Sequence, residues 1–393
     1  MTIAIFGGTF NPPHNEHINL IAGARNQLRA DRAIVVPAAA QPLKQAPDVS
    51  AEDRFQMSKL AFEHSGTAEV SDFELSRGGS SYTWLTLEHF SRLYPSDRLV
   101  FVIGADSMLD VQDRWKNPGR IAGLCTLAYA SRPGFEGAQQ AAERFERTYG
   151  KEVIRLNQDG QDISSLELRA LFEFDSDVSK WMPQRVIDYV DQKKLYRTHA
   201  ALIQKAAQLL SPKRYAHTAY VTAEALRLAR RTGCDEEKAF VAAALHDVAK
   251  KLSPQQLELY GYRAPEDMPE PVVHAFAGAH IAEREFCVTD KDVLNAIRYH
   301  TTGRPRMSLL ERVIYAADCI ERTRTYEGVQ QFRDAVNRDF ESGFVYCLAG
   351  TMELLDRENK SRVSRLTKLA LDYYSGRSQM PSGRLSAIQK QED

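Results

Sequence analysis

A chain of 393 residues, 43% of them hydrophobic, is too long for one ordinary domain and carries enough apolar side chains for two packed cores. Its 51 basic and 52 acidic residues leave a formal charge of −1, so no net field draws it to nucleic acid or to an anionic membrane. The five cysteines (Cys125, Cys234, Cys287, Cys319, Cys347) are scattered and lack a Cys-x-x-Cys pair; the chain enters a strand directly and holds no run of about 18 apolar residues, which together point to the cytoplasm.

The first predicted element is a strand, Ile3-Ala4-Ile5-Phe6, running into Gly7-Gly8-Thr9-Phe10-Asn11-Pro12-Pro13-His14-Asn15-Glu16-His17 and then a helix with Ile18, Ile21, Ala24 and Leu28 on one face. Two glycines admit backbone N–H groups to an anion, and a helix N-terminus behind them favours negative charge. His14 and His17, three residues apart, would face the same ligand. A buried-type strand follows at 33–36, then Ser50 with Asp53 as a capping box for a helix to about residue 64, and a third strand over 69–73. Residues 99–103 form the clearest strand and lead into Gly104-Ala105-Asp106; another strand, 125–130, ends at Ser131-Arg132-Pro133-Gly134. Alternating strands and helices predict a doubly wound, Rossmann-like α/β domain that binds ligands at the carboxyl ends of its strands.

Taken singly, these features are bland. A Gly-Gly turn is more often only a turn, and Ser164-Ser165 before a helix is usually only its cap. Their common place on one rim of one sheet makes the phosphate reading stronger, and Arg169 adds a guanidinium to the helix that begins at the two serines. Neither a Walker loop nor a Gly-x-Gly-x-x-Gly fingerprint is present, which removes the usual NTPase and dinucleotide oxidoreductase readings.

The glycine-histidine loop, Gly104-Ala105-Asp106-Ser107 with Trp115 nine residues after Asp106, the Arg132-Pro133-Gly134 turn and Ile163-Ser164-Ser165-x-x-x-Arg169 resemble nicotinate-nucleotide adenylyltransferase over residues 1–197. The resemblance implies transfer of AMP from ATP, with Mg²⁺, to nicotinate mononucleotide, with pyrophosphate released. It places His14 and His17 on the ATP phosphates as catalytic charge stabilisers, and Gly7, Gly8, Thr9, Phe10, Ser164, Ser165 and Arg169 around ATP. Lys44 and Arg132 would contact phosphates, and Tyr82, Thr83, Asp106 and Trp115 would form the nicotinate pocket with the indole on the pyridine ring. Asn11 stands where the family has Asp, Leu166 where Thr is common, and Glu16 where the motif has Gly. A carboxylate beside polyphosphate repels it, so a first domain that only binds nucleotide is the alternative reading.

From residue 198 the pattern changes to helices alone, predicted over 200–210, 215–231, 235–250, 272–286, 290–299 and 309–322. The informative residues are polar ones within these apolar helices: His217, His246, Asp247, His274, His300 and Asp318. An isolated helix histidine is more often satisfied in a core or at the surface than a ligand, and His280 reads as a surface residue. Six costly polar groups in one bundle make that explanation weak for the set.

Arg214-Tyr215-Ala216-His217, Leu245-His246-Asp247-x-Ala249-Lys250 and Ile297-Arg298-Tyr299-His300-Thr301-Thr302-Gly303 resemble the HD superfamily of metal-dependent phosphohydrolases, and within it the bacterial symmetrical diadenosine tetraphosphatases. The resemblance implies hydrolysis of diadenosine tetraphosphate to two ADP. His217, His246, Asp247 and Asp318 would hold one ion, with Asp247 bridging to a second held by His274 and His300. Imidazole and carboxylate donors without thiolate suit iron, manganese or cobalt. Arg214, Lys250 and Arg304 are candidate phosphate contacts.

The sequence thus predicts an adenylyltransferase-like domain over 1–197, an all-α HD phosphohydrolase domain over 198–375 and a disordered tail over 376–393. The expected small-molecule partners are ATP, nicotinate mononucleotide and dinucleoside polyphosphates, with neither nucleic acid nor membrane. Homo-oligomer formation is left open.

Overall fold

The computed structural model describes residues 1–40, 49–130, 137–157, 163–357 and 364–376, so all but the first residue of the expected tail lies outside the described residues. The chain divides into two compact units, Met1–Phe172 with Asp177–Arg197, and Glu173–Ser176 with the chain from Thr198 onward. Among the described residues no helix is long and apolar enough to cross a membrane.

In the first unit, β1 (Thr2–Gly8), β2 (Arg32–Pro37), β3 (Glu69–Val70), β4 (Arg98–Gly104), β5 (Thr126–Ala130) and β6 (Val153–Leu156) form one parallel sheet in the order β3-β2-β1-β4-β5-β6. Helices cover both faces of such a sheet, so its inner strands need apolar residues at every position rather than at alternate ones. Ile3, Ala4 and Ile5 of β1 are fully buried in sequence, as are Val35 and Val36 of β2. The chain steps outward from β1 to β3, then crosses to β4 and proceeds the other way. Strand order therefore reverses at the β1–β4 pair, which runs in register from Thr2 opposite Arg98 to Phe6 opposite Val102. The carboxyl ends of these two strands bound the crevice that open α/β sheets use for ligands.

Three local features differ from the expected pattern. The third strand is only two residues long, because Phe73 already begins the helix Phe73–Arg77 and stacks its ring on His89 at 3.9 Å. The helix capped by Ser50 widens from α to π geometry at Lys59–Glu63, with no breaker residue to signal the change. Strand β6 escapes sequence reading because it is a short edge in which only Val153 and Leu156 are buried.

Helix α1 (Asn15–Gln27) follows the glycine loop and α2 (Ser165–Glu173) starts at the second of the paired serines. The second unit contains α3 (Pro212–Thr232), α4 (Glu236–Leu245), α5 (Glu270–Glu285), α6 (Lys291–Tyr299), α7 (Leu309–Ile320), α8 (Val329–Arg338) and α9 (Phe340–Arg357), and no strand among its described residues. Side-chain caps set several starts: Asp235 accepts the Lys238 N–H at 2.9 Å, Asp290 that of Asp292 at 2.8 Å and Ser308 that of Glu311 at 3.1 Å. Helix α4 packs against α3, α5, α6 and α7. Its fully buried Ala239, Ala242, Ala243 and Ala244 keep it thin enough for all four. It ends at Leu245 and not near 250, so His246 caps it and Asp247 lies in the turn beyond. His300 caps α6 in the same way.

Helix α9 crosses α8 at Gly343, where an added Cβ would fall inside the backbone of Ala335 and Val336. Backbone on a packed helix cannot yield as a flexible side chain does. Gly343→Ala should destabilise the helical unit by about 3 kcal/mol or more, read as a lower denaturant midpoint; an unchanged midpoint would show this crossing to be slack.

Candidate functional site

The glycine loop leaves β1 through two positions where a side chain has little room. A Cβ at Gly8 would stand 2.8 Å from the Phe10 ring, and one at Gly7 would stand 3.1 Å from Phe101. Phe10 adopts a left-handed φ of 50° and turns its buried ring inward, edge-on to Phe6 at 5.3 Å and to His17 at 5.2 Å. His14 precedes α1, and its N–H donates to His17 Nδ1 at 3.2 Å, with the two rings 3.8 Å apart. A neutral His17 that accepts at Nδ1 carries its proton on Nε2 and remains a donor there.

Ser164 caps α2: its hydroxyl and N–H both donate to Glu167, at 2.7 and 2.8 Å. Ser165 donates to the Pro12 carbonyl at 2.9 Å and Arg169 to the Asn11 carbonyl at 2.8 Å, while Tyr196 donates to the Asn11 side chain at 2.8 Å. Ser164 thus caps the helix, and Ser165 braces the far end of the loop. Gly7, Gly8, Thr9, Phe10, His14, His17, Ser164, Ser165 and Arg169 are brought into one neighbourhood. Glu16 sits in the first turn of α1 and is 8% exposed.

At the end of β4, Gly104 allows the Asp106 carboxylate to fold back, since a Cβ there would lie 2.6 Å from its Oδ1. Trp115 packs edge-on to Phe101 at 6.3 Å, and Phe101 is the same ring that bounds Gly7. Tyr82 lies under the Lys116 ammonium at 4.8 Å, next to Thr83 at the start of the helix Thr83–Leu93. Lys44 and Arg132 lie outside the described residues.

Arg54 had no signal in the sequence, where it reads as one more charged residue of a polar helix. It is 1% exposed, and its guanidinium donates to the carbonyls of Thr9 at 2.8 Å, Ala38 at 2.6 Å and Ala39 at 3.1 Å. Burial lowers its pKa. The fork ties the ends of β1 and β2 together beside the loop.

In the helical unit the six polar residues converge around Asp247, which is 3% exposed. Its Oδ2 accepts from Arg214 at 2.8 Å and lies 3.6 Å from His246 Nε2; its Oδ1 lies 3.3 Å from His274 Nε2 and 3.7 Å from His300 Nε2. Burial alone would raise this carboxyl, but the surrounding imidazoles, His246 first, hold it well below the usual carboxylate range. Beyond His246, His217 Nε2 stands 3.0 Å from Asp318 Oδ1. Two groups, His217 with His246 and Asp318, and His246 with Asp247 and His300, each bring their donor atoms within 4.8 Å of one another.

The donor set fits metal ions. Nδ1 of His217, His246 and His300 meets an oxygen in each case: Glu321 at 3.1 Å, the Ala243 carbonyl at 2.6 Å and the Ile297 carbonyl at 2.7 Å. For His246 and His300 the acceptor on Nδ1 puts the ring proton there and leaves the Nε2 lone pair for a ligand; His217 has a carboxylate on each nitrogen, and although burial lowers its pKa these carboxylates raise it overall. His246 Nε2 is buried without a hydrogen-bond partner, and burial pushes the pKa of this ring down to about 4, so it stays neutral.

Lys250 places Nζ 3.2 Å from both ring nitrogens of His274. Arg304 is engaged elsewhere, paired through two nitrogens with the buried Glu311 at 2.6 and 2.8 Å and stacked over Tyr299. His280 contacts the Tyr260 carbonyl at 3.1 Å, away from the cluster. Nothing in the sequence marks Glu321, an acidic residue three positions after Asp318, as buried beneath His217.

Residues 5–171 match the cytidylyltransferase-like family and residues 214–323 the HD domain. A Mycoplasma genitalium protein named "Probable nicotinate-nucleotide adenylyltransferase/Ap4A hydrolase" is 30% identical over 328 residues, 83% of this chain and 89% of its own length. A Clostridium tetani "Probable nicotinate-nucleotide adenylyltransferase" is 34% identical over 197 residues, 49% of this chain and 98% of its own. A solved structure from Clostridium acetobutylicum, a "predicted HD superfamily hydrolase involved in NAD metabolism", is 32% identical with a TM-score of 0.42, covering 46% of this chain and 98% of that one. The chain belongs to the family in which a cytidylyltransferase-like domain of the nicotinate-nucleotide adenylyltransferase kind is joined to an HD domain.

Proposed function

We propose that the chain is a bifunctional enzyme: the first unit transfers AMP from ATP to nicotinate mononucleotide, and the second hydrolyses diadenosine tetraphosphate to two ADP. The observation that carries this reading is the match along 83% of the chain to a protein named for both activities. The separate clustering of polar residues in each unit supports it.

Adenylyl transfer needs no covalent nucleophile. The phosphate of nicotinate mononucleotide attacks the α-phosphorus of ATP in line, a P–O bond forms, and the bond to pyrophosphate breaks. His14 and His17, with Lys44 and Arg132, would neutralise charge on the transferring phosphates, and Mg²⁺ bound with ATP would share that task. Ser164, Ser165 and Arg169 would hold ATP directly, and Ser165 and Arg169 would keep the loop in place through Pro12 and Asn11. Trp115 would stack on the nicotinate ring within a pocket formed with Tyr82, Thr83 and Asp106.

In the second unit, His217, His246 and Asp318 would hold one ion, and His274 and His300 another, with Asp247 shared between them. Two bound ions of iron, manganese or cobalt would supply Lewis acidity and an acidified water. Arg214 and Lys250, both within the cluster, would receive substrate phosphates. The pairing of activities has a chemical rationale: an adenylyltransferase that accepts a second ATP in place of its proper acceptor joins AMP to the γ-phosphate, releases pyrophosphate and makes diadenosine tetraphosphate, which the second site would remove.

Glu16 favours a second reading, in which the first unit binds nucleotide without turnover, since its carboxylate stands in the turn that holds His17. Pyrophosphate release from ATP and nicotinate mononucleotide decides between the two, and Glu16→Gly should raise that release severalfold only under the second reading. Under the first, His17→Ala should cut adenylyl transfer by about 10²–10³-fold and leave hydrolysis intact. His246→Ala, or removal of metal by a chelator, should abolish hydrolysis with adenylyl transfer retained; hydrolysis that survives both would defeat the assignment of the second site.

A further inference from the structure

The two groups of donors in the helical unit are not equivalent. His217 is backed by a carboxylate: Glu321, 1% exposed, sits 3.1 Å from Nδ1 and is itself held by the Thr323 hydroxyl at 2.7 Å and the Thr323 N–H. His246 and His300 rest on neutral backbone carbonyls. A carboxylate behind an imidazole fixes its orientation and raises its basicity more than a carbonyl does. His274 has the opposite neighbour, since the Lys250 ammonium lies 3.2 Å from both of its ring nitrogens.

The balance of charge follows the same division. Around His217 two carboxylates, Asp318 and Glu321, face the ring and one guanidinium, Arg324. Around His274 and His300 a single carboxylate, Asp247, faces Lys250 and Arg214, with Glu270 a further acidic neighbour of Lys250. A divalent cation is drawn to the first arrangement. At the second it must displace an ammonium from the ring that is to become its ligand.

We propose that the metal centre loads unequally, with a tight subsite at His217–His246–Asp318 oriented by Glu321, and a weak subsite at Asp247–His274–His300 opposed by Lys250. The proposal rests on the two-ion reading of this unit. Glu321 is a positioning residue in it, acting through His217. Lys250 governs the occupancy of the weak subsite, and a polyphosphate that draws its ammonium off His274 would favour filling of that subsite when substrate arrives.

The test is a Mn²⁺ titration of the full-length chain, freed of metal by chelation and without nucleotide, with unbound Mn²⁺ followed by its electron paramagnetic resonance signal. Two ions per chain should bind in two classes whose affinities differ by about tenfold or more. Glu321→Gln, which keeps an acceptor but removes its charge, should weaken the tight class alone by about 10- to 100-fold. Lys250→Met should strengthen the weak class alone, severalfold, and a thermal melt of each metal-free variant establishes that it is folded. Two classes of equal affinity, or variants that move both classes alike, overturn the proposal while leaving two ions in place. Fewer than two ions in the unaltered chain overturns the two-ion reading itself.

Discussion

The helical unit is organised by one costly placement, the ionised carboxylate of Asp247 in the interior of a bundle. An unpaired charge there would cost several kcal/mol. Its neighbours answer that cost from four directions: Arg214 from α3, His246 from the end of α4, His274 from α5 and His300 from the end of α6. Each of these needs its helix to approach Asp247 closely, and the alanines of α4 make that approach sterically available. His246 and His300 occupy matching places, each just past a helix end with Nδ1 on the carbonyl three residues earlier. The helix C-terminus thus orients the ring, and the ring in turn faces the carboxylate. Burial also depresses the pKa of His274, with the neighbouring His300 and Lys250 adding to the effect, so that its imidazole stays neutral.

The first unit meets a related problem in a different way. Reversal of strand order at the β1–β4 pair leaves two adjacent strand ends without a covering connection. The loops that emerge there are held by polar groups, two of them (Arg54 and Tyr196) buried, rather than by apolar packing alone. Arg54 gathers three carbonyls, Arg169 and Ser165 gather two more, and Tyr196 holds the Asn11 side chain. Preorganisation of this kind matters for a reaction whose catalysis is positioning and charge stabilisation.

Much of this could be read from residues. The apolar runs of β1, β2, β4 and β5, the glycines at the end of β1, and the switch to helices alone after residue 197 were all legible, because burial on both faces of a sheet and on one face of a helix imposes distinct periods. The six polar residues of the bundle were legible for the opposite reason, as polar side chains set in apolar helices. Arg304 misled: a basic residue after a His-Thr-Thr-Gly turn suggests an anion, yet Glu311, seven residues on, takes both arms of its guanidinium. Strand β6 and the π turn at Lys59–Glu63 left no mark because neither depends on a distinctive residue.

By itself, the sequence determined the parallel α/β sheet and the helical bundle, and it singled out the histidines and aspartates set within apolar helices, because side-chain type and period are local properties. Only the tertiary structure decided which of these act on one another. It set Glu321 behind His217, Lys250 against His274 and Arg54 beneath the glycine loop, three long-range or buried arrangements whose electrostatics depend on distance and exclusion of water. Neither quantity is written along the chain, and both arise only when the helices and strands have packed.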